Sequence, residues 1–64
     1  MNLNELTYQR RTAKRTAQEM LDRAITEGRT LSIAEQVQFD SLATRISELY
    51  TAITERESLR RLAQ

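Results

Sequence analysis

The 64-residue chain contains no cysteine, no histidine and no proline, and Gly28 is its only glycine. The absence of cysteine and histidine removes disulfide bonds and the commonest zinc ligands. Its apolar runs are far shorter than the ~20 residues that span a bilayer, so we expect no membrane partner. Because proline is absent while Ala, Leu, Glu, Gln and Arg are abundant, we expect helix almost throughout.

The chain also has almost no net charge, since 10 basic and 9 acidic residues leave a formal charge of +1. This balance argues against a dedicated nucleic-acid partner, whose footprint is strongly basic. One local bias exists at Arg10, Arg11, Lys14 and Arg15. Arg11, Lys14 and Arg15 are candidate phosphate contacts, and the alternative is that the cluster forms a solvated helix face.

Residues for catalysis are scarce as well. Nucleophilic catalysis needs an activated Ser, Cys or Lys with a base held nearby. Lys14 and the serines have no obvious activating partner, and two helices alone offer little concave surface for a substrate. We therefore predict that the chain is not an enzyme, with no catalytic residue, no cofactor, no metal site and no small-molecule substrate.

Residues that end and begin helices indicate one break in the helical pattern. Gly28 can adopt the left-handed conformation that ends a helix, and Arg29 suits the negative end of the helix dipole. Ser32 and Glu35 have the spacing of a capping box, which begins a second helix. We therefore predict one domain over residues 1–64, with helix one at about 4–27, a turn at 28–32 and helix two at about 33–63.

Both helices carry apolar or small residues at steps of three and four, the heptad pattern that winds two helices together at a shallow angle. Folding the chain back at Gly28 places residues opposite each other when their numbers sum to about sixty. The predicted fold is all-α, an antiparallel, coiled-coil-like two-helix hairpin. We call the predicted contact line between the helices the seam: Leu6, Ala13, Ala17, Met20, Phe39, Leu42, Ile46, Leu49 and Ile53.

Some apolar residues have no partner in this scheme. Helix two is expected to extend roughly 10 Å beyond helix one, which leaves Leu59 and Leu62 without opposing residues. Tyr50 adds apolar surface beside the seam. Because exposed apolar patches often mark contact surfaces, these three residues are candidate partner contacts. We expect the hairpin to associate with itself, as a dimer or larger, into a helical bundle.

The order of residues around the turn resembles a known family. The stretches that carry the resemblance are Glu27-Gly28-Arg29-Thr30-Leu31-Ser32, Glu35-Gln36 and Phe39-Asp40-Ser41-Leu42. They are similar to the N-terminal delta domain of tailed-phage major capsid proteins of the Hong-Kong-97 type. Nearly the whole chain follows that pattern, and the region from Gly28 to Leu42 is its most specific part.

The resemblance implies a capsid assembly scaffold that guides or modulates the assembly of the major capsid protein. Its implied partners are further copies of itself and a phage capsid protein. Its implied location is the cytoplasm of an infected bacterial cell, or the interior of the immature capsid if it is part of a capsid protein. The resemblance leaves open whether the chain is a piece of a capsid protein, a separately encoded scaffold or a mimic that diverts assembly.

An alternative resemblance belongs to another class of function. Glu35-Gln36, Ser41-Leu42 and Glu48-Leu49-Tyr50 are similar to the second helix of the plasmid repressor of primer. That resemblance implies a small dimeric helical-hairpin regulator that binds RNA through its first helices. Its RNA-binding face uses an aromatic residue, whereas helix one here has only Tyr8, near its beginning.

Overall fold

A computed structural model describes residues 2–63 of the chain. Helix α1 runs Leu3–Thr26 and helix α2 runs Ile33–Leu62, and a turn at 27–32 joins them. The described residues contain no strand, and the two helices pack against each other along a body of 51 × 17 × 14 Å. The predicted all-helical hairpin is therefore confirmed. Each helix begins and ends within about one residue of the expected positions.

The end of α1 is closed by Gly28. Its φ is +65°, in the left-handed region that glycine adopts without a steric penalty. The amide of Gly28 donates to the carbonyl of Ile25 (3.0 Å), and the amide of Arg29 donates to the carbonyl of Ala24 (2.9 Å). This pair of hydrogen bonds is a Schellman motif, which satisfies carbonyls that the helix end would otherwise leave unpaired.

Side chains cap the beginning of each helix. The Asn2 side chain accepts a hydrogen bond from the Glu5 amide at the start of α1 (2.8 Å). At the start of α2, the Ser32 hydroxyl accepts from the Glu35 amide, and the Glu35 carboxylate accepts from the Ser32 amide. This reciprocal pair is the capping box that the sequence predicted.

The best-packed part of the hairpin lies near the beginning of α1. Leu6 of α1 is buried against Leu49 and Ile53 of α2, and Leu3 and Ala52 pack partly buried around them. The residue numbers of Leu6 and Ile53 sum to 59, close to the sum of about sixty expected for an antiparallel hairpin, so their contact has the expected register. The remaining buried residues all lie on α1: Ala13, Ala17, Met20 and Ala24.

Toward the turn, the seam is only half covered on the α2 side. Phe39, Leu42 and Ile46 are each partly exposed, although the α1 residues of the seam are buried. The small alanines of α1 let the helices approach closely, but they cover little of a larger side chain. A hairpin has only two helices, so the outer edges of these three side chains face solvent.

Candidate interaction surfaces

Two side-chain contacts tie the helices together on opposite sides of the seam. The Arg45 guanidinium donates to the Gln9 side-chain oxygen (2.7 Å). On the other side, the Arg10 guanidinium lies over the Tyr50 ring, 5.3 Å from its centre. A cation in this position is attracted to the negative face of the ring. Both contacts join residues far apart in sequence, and they hold the register of the hairpin at mid-length.

The three predicted partner contacts are exposed, but they do not form one surface. Leu59 is 63% exposed, Leu62 82% and Tyr50 57%. Nine residues separate Tyr50 from Leu59, which is two and a half helical turns, so they lie on opposite sides of α2. Tyr50 faces the Arg10 side of the hairpin, whereas Leu59 and Leu62 point away from α1.

Leu59 and Leu62 instead share a side of α2 with two residues near its beginning. Ile33 is 87% exposed and Val37 is 64% exposed. The separations Val37–Leu59 and Ile33–Leu62 are 22 and 29 residues, about six and eight whole turns. We call Ile33, Val37, Leu59 and Leu62 the outer face. Neither Ile33 nor Val37 is among the contacts predicted from the sequence, and the whole-turn spacing is the signal that could have joined these four residues.

The basic cluster of α1 forms a shallow groove. A depression of about 200 Å³ is lined by Thr7, Arg10, Arg11 and Lys14. We call it the basic groove. It contains Arg11 and Lys14 of the three predicted phosphate contacts, while Arg15 lies outside its lining. The sequence places Arg10 in the same basic cluster but does not predict its contact with Tyr50.

A second charged group surrounds the turn. The Arg29 guanidinium donates to the Glu35 carboxylate (2.6 and 3.2 Å) and to the Glu27 carboxylate. Hydrogen bonds from Arg29 and from the Ser32 amide lower the pKa of Glu35 to about 2. The two carboxylates raise the pKa of Arg29 further above its already high ordinary value. This network fixes the connection between the helices, and each of its members is already engaged.

Among residues 2–63, no three carboxylates come together in a way that could hold a metal ion. In that same part of the chain, neither helix has the length and apolar character needed to cross a membrane.

Comparisons with known proteins give no relative for this chain. No protein-family model matches it, and neither a curated protein nor a solved structure matches it.

Proposed function

We propose that this chain is an assembly module that self-associates through the outer face of α2 and so guides or modulates the assembly of a phage major capsid protein. The observation that carries the proposal is the exposure of four large apolar side chains at whole-turn spacing on one side of α2. The four side chains form two pairs at opposite ends of α2, and both pairs lie on the same side of the helix. Apolar side chains aligned on one side favour a contact surface more than the same residues scattered around the helix. The resemblance from Gly28 to Leu42 supports a capsid protein as the larger partner.

The spacing of the outer face favours a second copy of this chain as its first occupant. Val37 and Leu59 lie at equal distances of 11 residues from Glu48. If two α2 helices pack antiparallel about Glu48, Val37 of each copy meets Leu59 of the other. Ile33 lies 15 residues from Glu48 and Leu62 lies 14, so these two then meet within one residue of the same register. A two-fold contact requires this kind of self-complementary surface.

Four apolar residues on each copy make a small interface, so the contact between two copies is weak. Specific stable interfaces bury about 1,200–2,000 Å², more than one face of a single helix pair supplies. Weak contacts become effective when many copies are held close together, because each further contact then forms within one assembly. This behaviour suits a scaffold that must associate and later separate.

Analytical ultracentrifugation over a range of protein concentrations tests the self-association. We expect a concentration-dependent dimer that Leu59→Ser with Leu62→Ser abolishes. The matched control is Tyr8→Ser with Ile25→Ser, which removes exposed apolar surface from α1 and should leave the dimer unchanged. A monomeric wild-type chain at every concentration, or equal loss in both double variants, contradicts self-association through the outer face.

Co-expression with a Hong-Kong-97-type major capsid protein tests the capsid partner separately. Electron microscopy and sedimentation should show a changed yield or size of shells when this chain is present. When the Leu59→Ser, Leu62→Ser variant is co-expressed instead, the yield and size of the shells should equal those obtained in the absence of this chain. Shells that are identical with and without the wild-type chain, and that carry none of it, contradict the capsid role even if the dimer forms.

A further inference from the structure

The basic groove is built on one side of α1. Thr7, Arg10, Arg11 and Lys14 follow the spacing i, i+3, i+4, i+7, which brings their side chains to neighbouring positions on a helix. The volume of about 200 Å³ is below the ~300–1,000 Å³ of pockets that enclose organic ligands. An opening of this size suits a small group with several acceptor atoms.

The positive charges of the groove are uncompensated within the described part of the chain. Across residues 2–63, no ion pair or side-chain hydrogen bond involves Arg10, Arg11 or Lys14. The sequence also places no carboxylate three or four residues from any of them. Like charges at this spacing destabilise a helix. Arg29 is the contrast, since two carboxylates of the same chain surround it.

One member of the groove is held in place before any ligand arrives. Arg10 is half buried, and its guanidinium lies against the Tyr50 ring. Its Nε atom is shielded from solvent and has no hydrogen-bond partner. A guanidinium fixed on an aromatic ring loses less side-chain freedom on binding than a free one. The hairpin therefore presents one positioned cation beside two exposed ones.

We propose that the basic groove binds phosphate groups, either of a free polyphosphate or of a nucleic-acid backbone. Two arginines and a lysine supply charge-assisted donors in several directions, and the Thr7 hydroxyl adds a neutral one. A phosphate has more acceptor oxygens than a carboxylate and so can engage more of these donors at once. This binding site is independent of the outer face, which lies on α2.

The test combines NMR titration of the ¹⁵N-labelled chain with two matched variants. The probes are pyrophosphate, an RNA hairpin and sodium acetate, all compared at equal ionic strength. Arg11→Gln with Lys14→Gln removes two groove cations. Arg56→Gln with Arg60→Gln removes two exposed cations from α2 and is the control for net charge.

We expect pyrophosphate to shift the amide and side-chain signals of the groove residues at concentrations where acetate does not. The groove double variant should weaken binding at least tenfold, while the control double variant changes it less than twofold. Binding of RNA as well as pyrophosphate identifies a nucleic-acid backbone as a source, with a salt slope that falls by about 1 for each groove cation removed. Binding of pyrophosphate alone identifies free polyphosphate.

Three results overturn the proposal. The first is the absence of any groove shift with both phosphate probes. The second is an equal loss of binding in the groove and control variants, which reports net charge only. The third is an acetate response as strong as that of pyrophosphate, which assigns the groove to carboxylates such as those of a protein partner.

Discussion

The guanidinium of Arg10 and the ring of Tyr50 meet across the two helices at 5.3 Å, and Arg10 also lines the basic groove. One contact therefore both joins the helices and positions a groove cation. The packing of the hairpin and the chemistry of the groove are thus coupled at one residue pair.

Replacing Tyr50 separates these two roles. Tyr50→Phe keeps a ring beneath Arg10 and should leave both the melting temperature and pyrophosphate binding nearly unchanged. Tyr50→Leu keeps apolar bulk but removes the ring, and should cost ~0.5–1 kcal/mol of stability and weaken pyrophosphate binding. Circular dichroism and NMR titration measure the two effects. If Tyr50→Phe and Tyr50→Leu behave alike, the ring contact does not position Arg10.

The distribution of burial along the seam predicts unequal costs for two leucines of α2. Leu49 is 5% exposed, whereas Leu42 is half buried. We expect Leu49→Ala to destabilise the hairpin by ~2–4 kcal/mol and Leu42→Ala by about half as much, because less apolar surface is lost. Urea unfolding followed by circular dichroism measures both at one protein concentration. A larger cost at Leu42 would show that a partner covers the seam near the turn.

Gly28 should be needed because its φ is positive, and not because a larger side chain would clash with a neighbour. A Cβ placed on Gly28 meets nothing within 4 Å, but φ is +65°. Gly28→Ala should therefore cost ~1–2 kcal/mol, and Gly28→Asn less, because asparagine tolerates the left-handed region better. Thermal unfolding of the two variants checks this order. Stabilisation by alanine, as occurs where φ is negative, would contradict the Schellman ending of α1.

The turn could be predicted from sequence because its signals are local. The capping box at Ser32 and Glu35 and the glycine ending at Gly28 need only a few neighbouring residues, and both are present as expected. The extent of burial could not be predicted in this way. Whether Leu42 is covered depends on the size of the opposing α1 residues and on the absence of a third helix in the hairpin.

The surfaces were harder to predict because they depend on whole-turn relationships over long separations. Leu59 and Leu62 are suggested by the longer second helix, yet their link to Ile33 on the same side of α2 spans up to eight turns. The sequence groups Tyr50 with them because it adds apolar surface beside the seam. Its ring in fact lies on the opposite side, against Arg10.

Acid should weaken the turn through Glu35. Its pKa is about 2 in the folded chain, below the ordinary 4.5, because Arg29 and the Ser32 amide donate to its carboxylate. A lowered folded-state pKa contributes stability that is complete above about pH 4.5 and is lost as the pH falls toward about 2. We expect Glu35→Gln to flatten the loss of helicity over this range in a pH titration by circular dichroism.

The control for this titration is Glu55→Gln, which removes an exposed carboxylate of α2 that has no hydrogen-bond partner in the described part of the chain. Its acid curve should follow that of the wild-type chain. Equal flattening in both variants would mean that general charge, and not the Arg29–Glu35 pair, sets the acid response.

Glu48 provides a sharp test of how two copies meet. In the proposed antiparallel contact, Glu48 lies midway between Val37 and Leu59, so the two Glu48 carboxylates of a dimer face each other across the two-fold axis. Two like charges ~4 Å apart in water repel by about 1 kcal/mol. Glu48→Gln should therefore tighten the dimer about fivefold at low salt, and added salt should reduce the difference because it screens the repulsion.

The control variant is Glu57→Gln. It changes the net charge equally, but Glu57 lies nine residues away on the opposite side of α2, so the dimer dissociation constant should stay unchanged. Sedimentation equilibrium on the two variants decides the matter: equal effects would place the contact elsewhere, and a weaker Glu48→Gln dimer would mean that the carboxylate pairs with a cation of the second copy.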